Sequence, residues 1–447
     1  MSTDKNLVFS QHNIFSQIKN SDDYYLINLL TGSADIVDQD NAGKIKKGQY
    51  PDKEDLRLKG YLIDPHDEKL LFINSYLEFT EKRDSSEVQV FFVPWYSCNF
   101  ACSYCYQSEY NGEPKLLTKE IIDAFYHYLD TMMRGQKKYI TLFGGEPLMN
   151  GKAHREMVNY FFKQAAERNL GVAIVTNGYN LSEYIEDLRK VPVREIQVTL
   201  DGIAEVHDKR RPLQNGGPTF DKVVQGIDDA LEEGFPVNLR IVMDKENIGE
   251  LKAVSDFAIE KGWTEHPGFK TQIGRNYELY SCQKNSSRLF ERAELYGALY
   301  DLLLEHPDIL KFHKPAFSVS RYLSENGELP EPLFDSCPGA KTEWAFDYTG
   351  QIYACTATVG KKGEELGTFY PQIKLDKEQI EEWKDRDVTT IEQCRTCNVR
   401  LACGGGCAAV AKNKFGTIMA PDCRPIEKLL DLGLSFYFEN ENTKEEL

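Results

Sequence analysis

The stretch VQVFFVPWYSCNFACSYC, residues 88–105, sets the reading of this chain: a short β-rich run leads directly into three closely spaced cysteines, Cys98, Cys102 and Cys105. Outward from it the texture repeats. Runs of the same kind recur at YITLF (139–143), VAIV (172–175), REIQVTL (194–200), VNLRIVM (237–243) and GFKTQIG (268–274). Helical patterns separate them. Thr118 can cap a helix in which Ile121, Ile122, Phe125, Leu129 and Met132 recur at helical spacing. The next helix carries Met157, Val158, Phe161 and Phe162, and further helices fit 181–190, 219–234 and 249–262. Strands alternating with helices predict an α/β fold with a parallel sheet wound by right-handed crossovers, and six repeats predict a partial (β/α)6 TIM-like barrel. In such folds the chemistry gathers at the carboxyl ends of the strands, where the first cysteines lie.

Four segments flank this barrel, which is assigned residues 87–280. Residues 1–86 hold no cysteine and read as a small α+β module. Within them YYLINLLTGSADIVD (24–38) alternates around a Thr-Gly-Ser turn as a hairpin does, and KEDLRLKGYLI (53–63) reads as a helix ending near Gly60 before a short strand. The run EKRDSSE (81–87) reads as a charged linker. Residues 281–330 read as a helical linker closed by ENGELPEP, 331–427 as a cysteine-rich domain organised by metal, and 428–447 as a tail, polar from Asn440.

The 447 residues carry 70 acidic and 53 basic side chains, a formal net charge of −17. That balance argues against a nucleic-acid binder and against an anionic membrane surface. No apolar run is long enough to span a bilayer, and the start MSTDKNLVFSQHN lacks the plan of a signal peptide, so the expected location is the cytoplasm. Eleven cysteines in a reducing compartment read as metal ligands rather than disulfides.

Three thiolates at CNFACSYC, with no fourth ligand nearby, suit a four-iron cluster that leaves one iron open. A structural zinc would need a fourth ligand from elsewhere in the chain. The second array runs Cys337-x12-Gly350-x4-Cys355, then Cys394-x2-Cys397-x5-Cys403-x3-Cys407-x15-Cys423. Seven thiolates exceed one tetrahedral site and suit two sites, one complete and one with three cysteines. A pair of zinc knuckles is the other reading of that spacing.

CNFACSYC resembles the signature of the radical S-adenosylmethionine (SAM) superfamily, including the aromatic Tyr104 before the third cysteine. Three further segments resemble that family's in order: Gly144-Gly145-Glu146-Pro147, Thr176-Asn177-Gly178, and Thr199-Leu200-Asp201-Gly202 followed by His207-Asp208-Lys209-Arg210-Arg211. The resemblance implies that Cys98, Cys102 and Cys105 hold a [4Fe-4S] cluster whose open iron chelates SAM, and that one electron then yields a 5′-deoxyadenosyl radical. It implies a SAM site built from Tyr104, Gly144, Gly145, Glu146, Asn177, Thr199, Asp201 and Arg211, with Arg210 and Arg240 as rivals to Arg211. The second array resembles the SPASM extension of peptide- and protein-modifying members. By that likeness Cys394, Cys397, Cys403 and Cys423 hold one auxiliary [4Fe-4S] cluster and Cys337, Cys355 and Cys407 another. The latter is left open or is closed by Cys282.

Residues 1–86 resemble the winged-helix-like elements that capture leader peptides. The implied activity is maturation of a ribosomally synthesised (RiPP) precursor peptide by an oxidative thioether or carbon–carbon crosslink, with flavodoxin or ferredoxin as electron donor. The alternatives are an anaerobic sulfatase-maturing type of formylglycine oxidase or another SPASM dehydrogenase, and a zinc-organised protein-binding adaptor. The oxidase type places Asp after the cysteine matching Cys355, where this chain has Thr356. No general acid or base is singled out.

Overall fold

The computed structural model describes residues 6–109, 117–275 and 287–439. The N-terminal segment forms five short strands: β1 (Val8–Phe9), β2 (Asn13–Gln17), β3 (Tyr24–Asn28), β4 (Ser33–Val37) and β5 (Leu62–Ile63). β2, β3 and β4 form an antiparallel meander, and β1 pairs with β5. The expected hairpin is β3–β4, turning through Gly32 at φ +74°. The helix Lys53–Leu58 ends just before Gly60, and β5 follows, as the sequence predicts.

The run read as a charged linker is helical instead. A helix begins at Pro65, capped by the Asp64 carboxylate accepting from the His66 amide, and continues to Ser85. The charges of its last turns, Glu81, Lys82 and Asp84, are exposed, while Phe72, Tyr76 and Phe79 pack their rings around Phe334 at centroid distances of 5.1, 5.3 and 5.5 Å. Burial of that aromatic face carries the helix through its polar end. The N-terminal segment therefore shares a core with the cysteine-rich region, in which Ile14, Ile18 and Tyr25 meet Phe334, Cys394, Leu401 and Cys403.

The barrel strands are β6 (Val88–Val93), β7 (Lys138–Leu142), β8 (Val172–Thr176), β9 (Val193–Thr199), β10 (Val237–Met243) and β11 (Phe269–Arg275). All six predicted strands form, each within a residue of the expected ends, and each pairs in parallel with its neighbour. The chain is an α/β partial barrel. Helix Lys119–Thr131 buries Ile122, Phe125 and Leu129 as its spacing predicts, and Phe92 of β6 meets Phe125 and Phe161 at 4.6 and 5.0 Å. Thr118 precedes that helix but makes no side-chain cap bond, and Met132 lies past its last turn, exposed.

The sheet does not stop at six strands. β12 (Glu343–Asp347) pairs in parallel with β6, from Glu343 opposite Gln89 to Asp347 opposite Val93. β13 (Gln351–Tyr353), β14 (Glu365–Thr368) and β15 (Lys374–Leu375) extend it antiparallel, giving one ten-stranded sheet in the order β11-β10-β9-β8-β7-β6-β12-β13-β14-β15. The segment read as a cysteine-rich domain organised by metal is thus joined to the barrel by backbone hydrogen bonds. Residues 428–439, placed in the tail by sequence, belong to the helix Ile426–Leu434 and the turn after it, with Leu430, Leu434 and Phe436 buried. Cys282 and the polar end from Asn440 lie outside the described residues. Among the described residues no helix is long and apolar enough to cross a membrane.

Candidate active site

The carboxyl end of β6 runs through Trp95 and Ser97 into Cys98. This loop is gripped from two sides. On one side, the Gly145 amide donates to Trp95 O at 3.2 Å, the Glu146 amide to Ser97 O at 2.9 Å, and the Trp95 indole to Glu146 O at 2.6 Å. On the other, Ala101 N donates to Pro212 O at 2.8 Å, Ser103 N to Arg210 O at 3.0 Å and Gln214 N to Asn99 O at 2.9 Å. The segments that sequence placed at strand ends are therefore the two jaws that fix the cysteine loop.

The glycine pair is required by the first jaw. A Cβ on Gly145 would sit 2.0 Å from Ser97 O and 2.5 Å from Tyr96 O, and Gly144, at φ +145°, faces Trp95 O at 2.8 Å from its own Cβ position. Substituting Gly145→Ala is expected to cost about 1–3 kcal/mol from overpacking and to push the cysteine loop outward. A thermal melt alongside iron content checks this, since a purely local change would leave iron unaltered.

Cys98, Cys102 and Cys105 line one cavity of about 330 Å³ together with Tyr104, Gly144, Gly145, Asn177, Thr199, Arg211 and Arg240. That size suits a small cofactor. Burial pushes the Cys98 thiol up to about 12, with Glu146, Cys102 and Cys105 adding to it, and pushes Cys102 up to about 11. Asn177 donates to Asn99 Oδ1 at 2.7 Å and to Cys98 Sγ at 3.8 Å. Tyr104 donates to Asp201 Oδ2 at 2.5 Å and accepts from Arg211 Nη1 at 2.6 Å. Burial opposes the Arg211 charge, but Cys102, Tyr104 and Asp201 outweigh it and hold the guanidinium protonated. Its Nε is buried without a partner, as is that of Arg240.

Two expected cofactor contacts are placed behind the wall instead. The Glu146 carboxylate accepts from Thr176 Oγ1 (2.6 Å), Asn177 N (2.6 Å) and Leu148 N (2.8 Å), which ties the ends of β7 and β8 together. Burial raises its pKa against those three bonds. Asp201, fully buried, accepts from Val242 N at 2.9 Å as well as from Tyr104. Neither lines the cavity, whereas Thr176 and Asn177, bonded to Glu146, and Tyr104 and Val242, bonded to Asp201, do. Of the three rival arginines, Arg210 is committed to Asp244, at 2.9 and 3.1 Å, while Arg211 and Arg240 face the cavity.

The remaining described thiols fall into two sets. Burial, then Glu343, Cys337 and Cys407, raises Cys355 far above its ordinary value. Burial, then Cys403, Cys397 and Cys423, pushes Cys394 up to about 11. The partners that sequence assigned to each site are thus electrostatic neighbours. Among the described residues no three His, Cys, Asp or Glu side chains are close enough to share a single ion. A multi-iron cluster is wider than one ion, and a soft, sulfur-only donor set is what iron–sulfur chemistry requires. The residues present fit such groups.

Sequence reasoning missed the barrel interior. A second cavity of about 340 Å³ lies within the sheet and shares Phe143, Val175, Gln197, Arg240 and Thr356 with the first. Glu343 of β12 lines it and accepts from Thr356 N at 3.1 Å. Burial pushes the Glu343 carboxyl up to about 7 against that bond. Only the pairing of β12 with β6 brings Glu343 here, and no local pattern announces it.

Residues 92–258 match the family model of the Radical SAM superfamily. Over 322 residues the chain is 27% identical to mycofactocin maturase MftC of Mycolicibacterium smegmatis, covering 70% of this chain and 76% of that protein. Over 377 residues it is 26% identical to the serine-type anaerobic sulfatase-maturating enzyme of Bacteroides thetaiotaomicron, covering 77% and 86%. Among solved structures, native anSMEcpe with bound AdoMet and Cp18Cys peptide aligns with a TM-score of 0.59 at 16% identity, over 79% of this chain and 99% of that one. Streptococcus suis SuiB bound to precursor peptide SuiA aligns with a TM-score of 0.51 at 14% identity, over 93% and 99%. At these identities the two structures establish a common fold.

Proposed function

Because residues 92–258 are a radical SAM domain, with the [4Fe-4S] cluster and SAM that this implies, we propose that the chain oxidatively crosslinks a ribosomally made peptide through a thioether or carbon–carbon bond. The observation that carries this reading is the gathering of ten cysteines into three sets, the first facing a cavity whose far wall is Thr356, next to Cys355 of the second. Bound by these sets, iron–sulfur groups and SAM would supply a hydrogen-abstracting 5′-deoxyadenosyl radical and a sink for the second electron. Cys337, Cys355 and Cys407 would hold one auxiliary group, and Cys394, Cys397, Cys403 and Cys423 the other, in a SPASM-type domain.

The chain's own residues then bind and orient. Arg211, steadied by Tyr104 and Asp201, lines the cavity as a cation for the carboxylate or ribose of SAM, and Arg240 lines the same cavity. Phe100, Phe143 and Val175 keep water from the reacting atoms. Glu343 Oε takes the proton that leaves the substrate with its second electron. Substituting Glu343→Gln is expected to preserve SAM cleavage to 5′-deoxyadenosine while lowering product about 100-fold or more, in the range of a lost general base. The base acts when ionised, so product formation should rise as pH passes about 7 and flatten in the variant. An unchanged pH profile in Glu343→Gln removes that role.

The winged-helix-like N-terminal module supplies leader capture in this reading. β4 is a sheet edge, with Ile36 exposed, beside an apolar groove formed with Leu323, Leu434 and Phe438, and an extended peptide can add to it as a strand. A flavodoxin or ferredoxin would deliver the electron. The reading is tested by incubating the reconstituted chain anaerobically with SAM, reductant and a candidate precursor peptide. A product lighter by two hydrogens supports a crosslink, and no modification under active SAM cleavage refutes it. The second reading, a formylglycine oxidase, has the Bacteroides relative in its favour and predicts an aldehyde product.

A further inference from the structure

Arg400 is a buried cation whose guanidinium makes its direct side-chain contacts with a ring and an aromatic face. It opens the short helix Arg400–Cys403, three residues after Cys397, and its amide donates to Cys397 O at 3.3 Å. The side chain points back toward the N-terminal module. Its Nη2 contacts His12 Nε2 at 3.2 Å, and its guanidinium carbon lies 4.7 Å from the Phe72 ring centroid. The His12 ring stacks on Phe72 at 5.4 Å. Arginine has nothing with which to accept a hydrogen bond, so His12 Nε2 is the acceptor and the imidazole proton sits on Nδ1. Burial, then the Arg400 charge, pushes His12 down to about 3, which keeps that ring neutral. The Arg400 Nε has no hydrogen-bond partner.

A buried charge whose direct contacts are a neutral ring and an aromatic face is costly unless nearby anionic groups balance it. Cys394 and Cys403 lie in the same core against which Phe72 packs. Burial lowers the pKa of Arg400, and Cys397, Glu68 and Cys394 act against that lowering. Arg386 also acts on Cys394, but its guanidinium is taken up by backbone carbonyls. Arg400, by contrast, is a buried cation whose charge is felt by Cys397 and Cys394 as well as by Glu68.

We propose that Arg400, clamped by His12 and Phe72 of the N-terminal module, sets the reduction potential of the iron–sulfur group held by Cys394, Cys397, Cys403 and Cys423. The proposal rests on the reading of those thiols as a cluster site. Reduction adds a negative charge to a site already anionic through its thiolates, and a nearby cation in a low-dielectric setting favours the reduced form. Arg400 thus raises the potential, and the module expected to hold the leader peptide is one wall of that redox site. Arg400 is a positioning residue here and does not touch substrate.

The test is an EPR-monitored redox titration of the full, anaerobically reconstituted chain. Arg400→Gln should move the midpoint of one cluster to more negative potential and leave the others in place. Arg400→Lys should bring it back toward the wild-type value. His12→Leu loosens the guanidinium without changing charge and should shift the same midpoint in the same direction by less. Iron per chain and a thermal melt report assembly separately, and His12→Leu carries the test if Arg400→Gln takes up no iron. Midpoints unchanged from wild type in the assembled variant overturn the proposal. Absence of a third cluster signal in the wild type overturns the reading of the four thiols, and the proposal with it.

Discussion

Replacing Cys98, Cys102 and Cys105 together by alanine is expected to abolish reductive cleavage of SAM while the chain keeps about eight of roughly twelve irons, if each thiol set holds a four-iron cluster. The separation follows from where the sets lie. The first sits on a loop after β6, held by backbone bonds to residues 145–146 and 210–214 that the substitutions do not touch. The other two sets lie across β12 and beyond, in cores of their own with Ala340, Trp383 and Ile418 or with Phe334 and Leu401. The fold should therefore persist with one cluster missing. Iron analysis with chromatography for 5′-deoxyadenosine checks both halves. Undiminished cleavage in the variant would show that some other group opens SAM.

Arg386→Met is expected to have the largest effect on stability, about 3–5 kcal/mol, by leaving buried acceptors unpaired. Arg386 is fully buried and donates to Ile418 O (2.5 Å), Gly406 O (3.1 Å), Gly405 O (2.9 Å) and Ala420 O (3.1 Å). Those carbonyls belong to the two segments that carry Cys403, Cys407 and Cys423 toward their sets. Gly406 is pressed so closely on this arrangement that a Cβ would lie 2.0 Å from Asp422 O. Methionine fills the volume and donates nothing. The variant should melt well below the wild type and lose iron from the C-terminal sets first. A melting temperature within a degree or two of wild type would contradict this account of the region.

The barrel was legible because its signals are local. Each of the six strands is a compact run followed by a helical period, and the cysteines stand directly after the first. The proposed grouping of the thiols comes from spacing and resemblance. Other features depend on contacts distant in the chain. Nothing in EWAFD (343–347) says which strand it pairs with, and only its pairing with β6 brings Glu343 into the barrel. EKRDS reads as a linker until Phe334 is known to lie under Phe79 and Tyr76. Glu146 and Asp201 sit in motifs that suggest cofactor contact, yet geometry spends their oxygens on Thr176, Asn177, Val242 and Tyr104. His12 gives no sign in the sequence of meeting Arg400.

The most direct test of the central claim is to mix the iron-replete wild-type chain with SAM and a low-potential reductant in the absence of oxygen and to assay for 5′-deoxyadenosine. The expected result is its formation together with methionine, dependent on reductant and stopped by air. Intact SAM after prolonged incubation with fully reduced, iron-replete protein would contradict the account at its root.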